Sequence, residues 1–436
     1  YIFGVTPKGT LNGVYDFIED NLGVLWTRST DLGTLYDPMP TIPVVQVNYR
    51  EKSPLKLRAW HLCGTGANGE PHSDPATEIM MSRNKMNSKF AEFANIHLWD
   101  WQASVGIEPF NLGHNIQYWL LTSPLYNNQL EYWNTDEEGN YLGPGKGHVN
   151  FWSDGAAEAI ATSVINFLNT YDIKYVGVGM EDTSYCVQHP EDKQPFEYAP
   201  GMFVYPGEDD YLSTVFFTFM NKIARKVKEV HPDVMLCTYA YIFTEIPPRC
   251  DIEDNICIVI APINEDMRLP ITTTEPSPNN KVYQNMERWS QKTSNIMVYN
   301  YYGCFPYAAE YYERPIAGRV QSDLQYYVEK GFMGVVPEGI VDANTNTWAV
   351  NTLQFWLFSK LFWDPYADID ALTELFCQKA YGDAAPHMLR YYKLVEQGWN
   401  SKYTTIRWST DLRTYVKTFI LDSGLVDEMQ DALDKA

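Results

Sequence analysis

The sequence predicts an α/β protein built on a (β/α)8 barrel, and three observations carry that prediction. Eight apolar runs alternate with amphipathic helical patterns between about residues 55 and 363. The runs are near-continuous rather than alternating, as strands buried on both faces must be. Carboxylates, Tyr, Trp, His and Asn collect where the runs stop, and in such barrels the chemistry sits at the strand ends.

The strands are read in order as "LKLRAWHL" (55–62), "FANIHLWDW" (93–101), "GIEPFNLGH" (106–114), "IKYVGVGM" (173–180), "DVMLCTYAY" (233–241), "NICIVIAP" (255–262), "NIMVYNYY" (295–302) and "GFMGVVPEG" (331–339). Two helices between them have clear apolar faces. One carries Ile160, Val164, Phe167 and Leu168, entered through Ser153-Asp154 as caps. The other carries Leu212, Val215, Phe216, Phe219, Ile223 and Val227. A doubly wound open sheet is the rival, but no G-x-G-x-x-G follows any strand.

Residues 1–50 read as a separate small unit of short strand, glycine-containing turn and helix, with Val14, Phe17, Ile18 and Leu22 on its apolar stripe. Pro38, Pro40 and Pro43 mark a linker. The barrel is expected over 51–363. From 364 to 436 the pattern is all-helical, with a stop at Tyr381-Gly382 and a restart near Pro386.

Composition narrows the function. The 436 residues suffice for a large core. The formal net charge of -22 has no basic stripe to offset it, which argues against nucleic acid and anionic lipid as partners. No apolar run is long enough to span a membrane. The chain starts at Tyr1, and it is read as a mature or trimmed fragment. Its seven cysteines are scattered and form no disulfide framework. Cys186 and His189 lie three apart, while His61, Cys63 and His72 are dispersed. No H-x-H, HExxH or paired-Cys spacing occurs, so neither a metal nor a cofactor is expected. No G-x-S-x-G elbow and no P-loop is present.

What remains is the strand ends. "KYVGVGMEDT" (174–183) finishes in two adjacent carboxylates, Glu181 and Asp182, and the last strand finishes at Glu338. Extended backbone alternates sides, so at most one of Glu181 and Asp182 points straight into the mouth. The other ends bring Trp99, Asp100, Trp101, His114, Tyr241, Asn300, Tyr301 and Tyr302. Rings and neutral hydrogen-bonding groups with few cations suit a polyhydroxylated ligand, and glycoside hydrolysis needs a pair of carboxyl groups. The bland alternative is that Glu181 and Asp182 cap the next helix, Glu338 is a loop residue, and most rings are core.

Several segments resemble known families. "GTLNGVYDFIEDNLGVLW" (9–26) is similar to the end of the small α/β domain before the barrel of family-20 β-hexosaminidases and family-67 α-glucuronidases. "FNLGHNI" (110–116), "TYAYIFTEIPP" (238–248) and "FSKLFWDPYADIDALTELFCQKAYGDAA" (358–385) resemble the bacterial domain-of-unknown-function-4838 proteins. The resemblance implies a glycoside-hydrolase-like barrel, tied to polysaccharide degradation and to a secreted, periplasmic or cell-surface location. Family-20 enzymes carry Asp-Glu at the fourth strand's end, the Glu being the acid. Here the order is reversed, so Asp182 matches the acid by position and Glu181 by residue type.

The expectation is an exo-acting glycoside hydrolase on a complex polysaccharide or host glycan. Glu181 or Asp182 would be the general acid and Glu338 the base or nucleophile. Trp99, Trp101, Tyr241, Tyr301 and Tyr302 would stack on sugar, and Asp100, His114 and Asn300 would bond hydroxyls. The alternative is a non-catalytic carbohydrate-binding barrel of a polysaccharide-utilisation system.

Overall fold

A computed structural model of the chain describes residues 1–42, 48–303, 312–342 and 346–436. Pro43 of the expected linker and Cys304 lie outside the described residues. The strands are β1 (Leu25–Trp26), β2 (Thr34–Leu35), β3 (Leu57–Arg58), β4 (His61–Cys63), β5 (Ser88–Ala91), β6 (Glu108–Asn111), β7 (Tyr175–Gly177), β8 (Phe196–Ala199), β9 (Met202–Val204), β10 (Met235–Ala240), β11 (Ile256–Ile260), β12 (Ile296–Val298), β13 (Gly334–Val335) and β14 (Glu338–Ile340).

Six of them form one curled parallel sheet in the order β3-β13-β12-β11-β10-β7. Its centre is the β10–β11 pair, registered from Leu236 opposite Ile256 to Ala240 opposite Ile260. Both strands are almost wholly buried, as the uninterrupted "ICIVI" of β11 requires of a strand covered on both faces. β14 and β4 pair in parallel just beyond β13 and β3. β5 and β6 form a further parallel pair. The Phe90 N–H donates to the Trp60 carbonyl at 3.1 Å, tying β5 to the β3–β4 segment.

Helices cover the outer face. Ser153 caps Asp154–Leu168 by accepting from the Ala156 N–H, as its position before the apolar stripe predicts. Trp60 turns outward and packs against Phe355, Phe358 and Phe362 of helix Asn346–Trp363. Between β10 and β11 the connection holds just a 3₁₀ turn, Ile242–Thr244, among its described elements. The C-terminal part is helical. Ile369–Tyr381 stops at Gly382 and Ala385–Asn400 restarts with Pro386 in its first turn. No helix among the described residues is long and apolar enough to cross a membrane.

Two expected elements are wrong. The second strand is not 93–101 but "SKFA" (88–91). Ser88 and Lys89 look like surface residues, yet both are buried, and the Lys89 ammonium pairs with Glu78 at 2.7 Å. The segment after it winds instead into a 3₁₀ turn, Phe93–Leu98, and a helix, Trp99–Ser104. Phe93, Ile96 and Trp99 recur every three residues, a period that suits a tight helical turn rather than a strand. The expected N-terminal strand is also absent. The chain enters helix Pro7–Leu22 directly, with Thr6 accepting from the Gly9 N–H as cap, so "KGTLNG" is helix and not turn.

Candidate active site

"VGVGMED" runs from β7 into the mouth, and its glycines answer to crowding. A Cβ on Gly177 would lie 2.6 Å from the Leu112 Cα, and one on Gly179 would lie 2.1 Å from the Gly113 carbonyl oxygen. The backbone of 112–113 can pass this close to β7 because no side chain intervenes. The contact carries hydrogen bonds. The Gly179 carbonyl accepts from the Asn115 and Ile116 N–H groups, and the Asn115 Oδ1 accepts from the Gly179 N–H.

That use of Asn115 leaves helix Ile116–Leu121 without a cap from its own N-cap residue. Glu181 supplies it: its Oε1 accepts from the Gln117 N–H at 3.0 Å. The Glu181 N–H in turn donates to His148 Nδ1 at 3.3 Å, while His148 Nε2 meets the Thr183 carbonyl at 3.0 Å. Burial pushes the His148 pKa down to about 4, so the ring is neutral and fits one accepted and one donated bond. Burial also raises the Glu181 pKa, opposed by the Gln117 hydrogen bond. Glu181 is half-buried and Asp182 exposed.

Asp182 faces the sheet's tyrosines. The Tyr241 hydroxyl donates to Asp182 Oδ1 at 3.2 Å. Burial, then the Asp182 charge, pushes the Tyr241 pKa up to about 12, which keeps it a donor. His114 stacks on Tyr239 with ring centroids 4.9 Å apart, and its Nδ1 donates to the Met180 carbonyl at 2.6 Å. Across from this corner stands Glu338. Its Oε2 accepts from the Tyr299 hydroxyl at 3.0 Å, and its Oε1 lies 3.5 Å from the Cys63 thiol. The Tyr299 oxygen is 2.5 Å from His61 Nδ1. Burial holds the His61 pKa down at about 3, and His72, Lys89 and His114 add to it, so this imidazole is neutral.

Tyr239 stands between the two corners. Burial raises its pKa, and the charges of Glu92, Asp182 and Glu338 all push the same way. Tyr239, Tyr241, Tyr299 and Tyr301 follow the two-residue alternation of their chain segments, which turns each of them inward. Tyr301 also stacks on Trp408, with centroids 6.2 Å apart.

Several expected site residues are elsewhere. Asn300 alternates to the opposite face, buried against Tyr327 and Glu265. Tyr302 faces the same way and donates to Asp323 at 2.9 Å. Neither opens on the mouth, because both sit one residue out of step with Tyr299 and Tyr301. Trp99, Asp100 and Trp101 lie on helix Trp99–Ser104 instead of a strand end. Trp99 is buried against Phe167 and Tyr171, so it is core. Sequence reasoning missed Tyr239, Tyr299 and Cys63 as site residues. Counting by twos back from Tyr241 and Tyr301, and on from His61, finds all three.

Residues 27–393 of the chain match the family model described as domain of unknown function (DUF4838). Among solved structures it resembles a family 89 glycoside hydrolase from Clostridium perfringens in complex with 2-acetamido-1,2-dideoxynojirmycin, at 10% identity and TM-score 0.52, covering 92% of this chain and 47% of that one. It also resembles a family GH115 4-O-methyl-alpha-glucuronidase with specificity for decorated arabinogalactans, at 12% identity and TM-score 0.53, covering 99% of this chain and 58% of that one. The chain thus spans about half the length of these two proteins. At such identities the likeness is one of fold. No curated protein matches by sequence. With most of its length under the family model, this chain belongs to the DUF4838 family.

Proposed function

We propose that the chain is a glycoside hydrolase whose sugar lies across the strand-end mouth of a (β/α)8 barrel. The bonds of β5 to the β3–β4 segment, and of 111–116 to β7, support reading the curled sheet and the β5–β6 pair as one such barrel. The observation that carries the functional reading is a run of tyrosine rings joining two carboxylates: Asp182 bonds Tyr241, Glu338 bonds Tyr299, and Tyr239 lies within 6.3 and 6.4 Å of those two rings. Tyrosine hydroxyls between two carboxyl groups can bond sugar hydroxyls without binding a phosphate or a carboxylate.

The roles follow from the partners. Glu181 is the general acid, since burial raises its pKa and favours the protonated form that can donate to a leaving oxygen. Glu338 is the base or nucleophile, oriented by the Tyr299 hydroxyl. Asp182 and Tyr241 orient substrate from the Glu181 side. Glycans of this type lie outside the cell, which goes with a secreted, periplasmic or cell-surface location.

The test is a panel of plant polysaccharides and host glycans, with released sugars separated and identified. An exo mode predicts monosaccharide rather than oligosaccharide. Glu338→Gln and Glu181→Gln should stop release while calorimetric binding of the same glycan persists. Glu181→Gln should recover on activated aryl glycosides, whose leaving group needs no proton. Binding without release from any glycan in the panel would favour the non-catalytic barrel instead.

A further inference from the structure

Beside Glu338 the mouth gathers two imidazoles and a thiol that the reading above does not use. His61 and Cys63 are inward residues of β4, two apart on one strand. His72 returns from the following loop. The Thr65–Pro71 bridge and the His72 N–H bond to the Gly64 carbonyl, at 2.6 Å, fold that loop back over β4. One ligand-type atom from each of the three lies within 4.8 Å of the other two.

The hydrogen bonds show which nitrogens are open to a ligand. The Tyr299 hydroxyl donates to Glu338, so its oxygen accepts from His61 Nδ1–H. His61 Nε2 is then a bare lone pair, and it is buried with no hydrogen-bond partner. A buried acceptor without a partner calls for an explanation. His72 Nδ1 donates to the Leu62 carbonyl at 3.2 Å, which leaves its Nε2 lone pair open as well. Each ring is thus fixed through one nitrogen and bare at the other, the arrangement that orients histidine ligands on metals. Phe90, stacked on His61 with centroids 3.9 Å apart, fixes the plane of that ring. His72 is also one of few non-glycine residues with positive φ, at 55°, a conformation that costs energy and concentrates at functional sites.

The geometry points to a site for one zinc-type divalent ion at the rim of the mouth, with His61 Nε2, His72 Nε2 and Cys63 Sγ as ligands. Two imidazoles and a thiolate are the borderline-soft donors that such an ion prefers over calcium or magnesium. Binding converts the Cys63 S–H to thiolate, and the proton leaves to solvent or to Glu338 Oε1, 3.5 Å away. A fourth position remains for water, on the side of the mouth where substrate would enter. The ion would pin the 64–72 loop to β4 and set one wall of the cleft. Metal binding at this site is independent of hydrolysis.

The test uses the whole chain, stripped with a chelator and kept in a non-thiol reductant. Cobalt(II) is titrated as a spectroscopic probe, and zinc is measured by competition with a chromophoric chelator. One equivalent should bind, with a thiolate-to-cobalt charge-transfer band and release of a proton. Cys63→Ser should abolish that band. His72→Gln should weaken zinc on the order of 100-fold, as loss of a ligand or its support does. Circular dichroism checks the fold, and His72→Gln, a loop substitution, decides alone if Cys63→Ser fails to fold. No band in the folded parent, or parental zinc affinity in His72→Gln, would overturn the proposal. So would binding lost in Asp20→Asn, since Asp16, Asp20 and Glu51 form a separate acidic group.

Discussion

Glu338 and Glu265 both follow strands of the same sheet, and their partners set them in opposite surroundings. Glu265 lies past β11 in a closed ion cluster. Its Oε2 meets Arg319 at 2.5 Å, and Arg319 also reaches Asp323 at 3.2 Å, with all three side chains almost fully buried. Burial pushes the Glu265 pKa up to about 7 and the Asp323 charge adds to that, while Arg319 pulls it down. Two carboxyl groups share one guanidinium, and the charges of the cluster are balanced within the core. Glu338 instead meets a hydroxyl and a thiol, which orient its oxygens without a cation. A strand-end carboxylate becomes chemically useful when its neighbours are neutral donors.

The sharpest way to break this contrast is to remove one partner from each side. Arg319→Met strands Glu265 and Asp323 in the core. Removing one partner of a buried ion pair costs about 3–5 kcal/mol, so the denaturant midpoint should fall by a corresponding amount. Turnover per folded molecule should not change. Glu338→Gln should do the reverse. It should lower kcat on the order of 10²–10⁴-fold while shifting stability by less than about 1 kcal/mol. An Arg319→Met protein of parental stability would mean the cluster is solvated and not structural.

The same contrast explains what could be read from the sequence. The parallel sheet was legible because "ICIVI" and "VGVG" can be little else than buried strand and close backbone contact. The 181–182 pair was legible as a strand end past β7, whereas Glu338, expected to end the last strand, instead opens the short strand β14 beside His61. Asn300 and Tyr302 were misplaced because their segment is polar and aromatic on both faces, so composition alone does not reveal which residues face inward. β5 was missed because burial of Lys89 depends on Glu78, eleven residues away and invisible to local pattern. Trp99 was misjudged for the converse reason. Its aromatic neighbours looked like a strand end, yet it packs on Phe167 and Tyr171, far off in sequence.

A third carboxylate extends the comparison to pH. Glu313 is buried with Gln354 Nε2 donating to its Oε1 at 3.4 Å, and among the described residues no cation offsets the loss of water. Burial pushes its pKa up to about 8. The unfolded chain releases this proton near the ordinary value of 4.5. Between those values the folded state holds a proton that the unfolded state has lost, so the Glu313 contribution falls as pH rises. It is fully present below the unfolded pKa and is lost through about 8. Thermal midpoints measured from about pH 5 to pH 9 should decline less in Glu313→Gln than in the parent. Parallel curves would show that Glu313 is hydrated and titrates normally.

The smallest effect separates the two tyrosine–carboxylate pairs of the mouth itself. Tyr299 and Glu338 are 3.0 Å apart with the tyrosine almost fully buried, and the same hydroxyl takes the His61 Nδ1–H. Tyr299→Phe therefore leaves a buried donor unpaired as well as freeing Glu338. Stranding one buried group costs about 1–3 kcal/mol, and the loss of orientation should appear in kcat. Tyr241 and Asp182 are 3.2 Å apart at the exposed edge, where water replaces whichever partner is removed. Tyr241→Phe should cost less than about 1 kcal/mol of stability. On a confirmed substrate it should raise KM rather than lower kcat, by roughly tenfold at most, because on the proposed reading a rim hydrogen bond would position the sugar and not hold a reacting oxygen. Measuring both variants on one substrate gives the comparison. Equal losses in kcat would mean that Asp182, and not Glu181, is the reacting carboxyl of its corner, with Tyr241 serving it as Tyr299 serves Glu338.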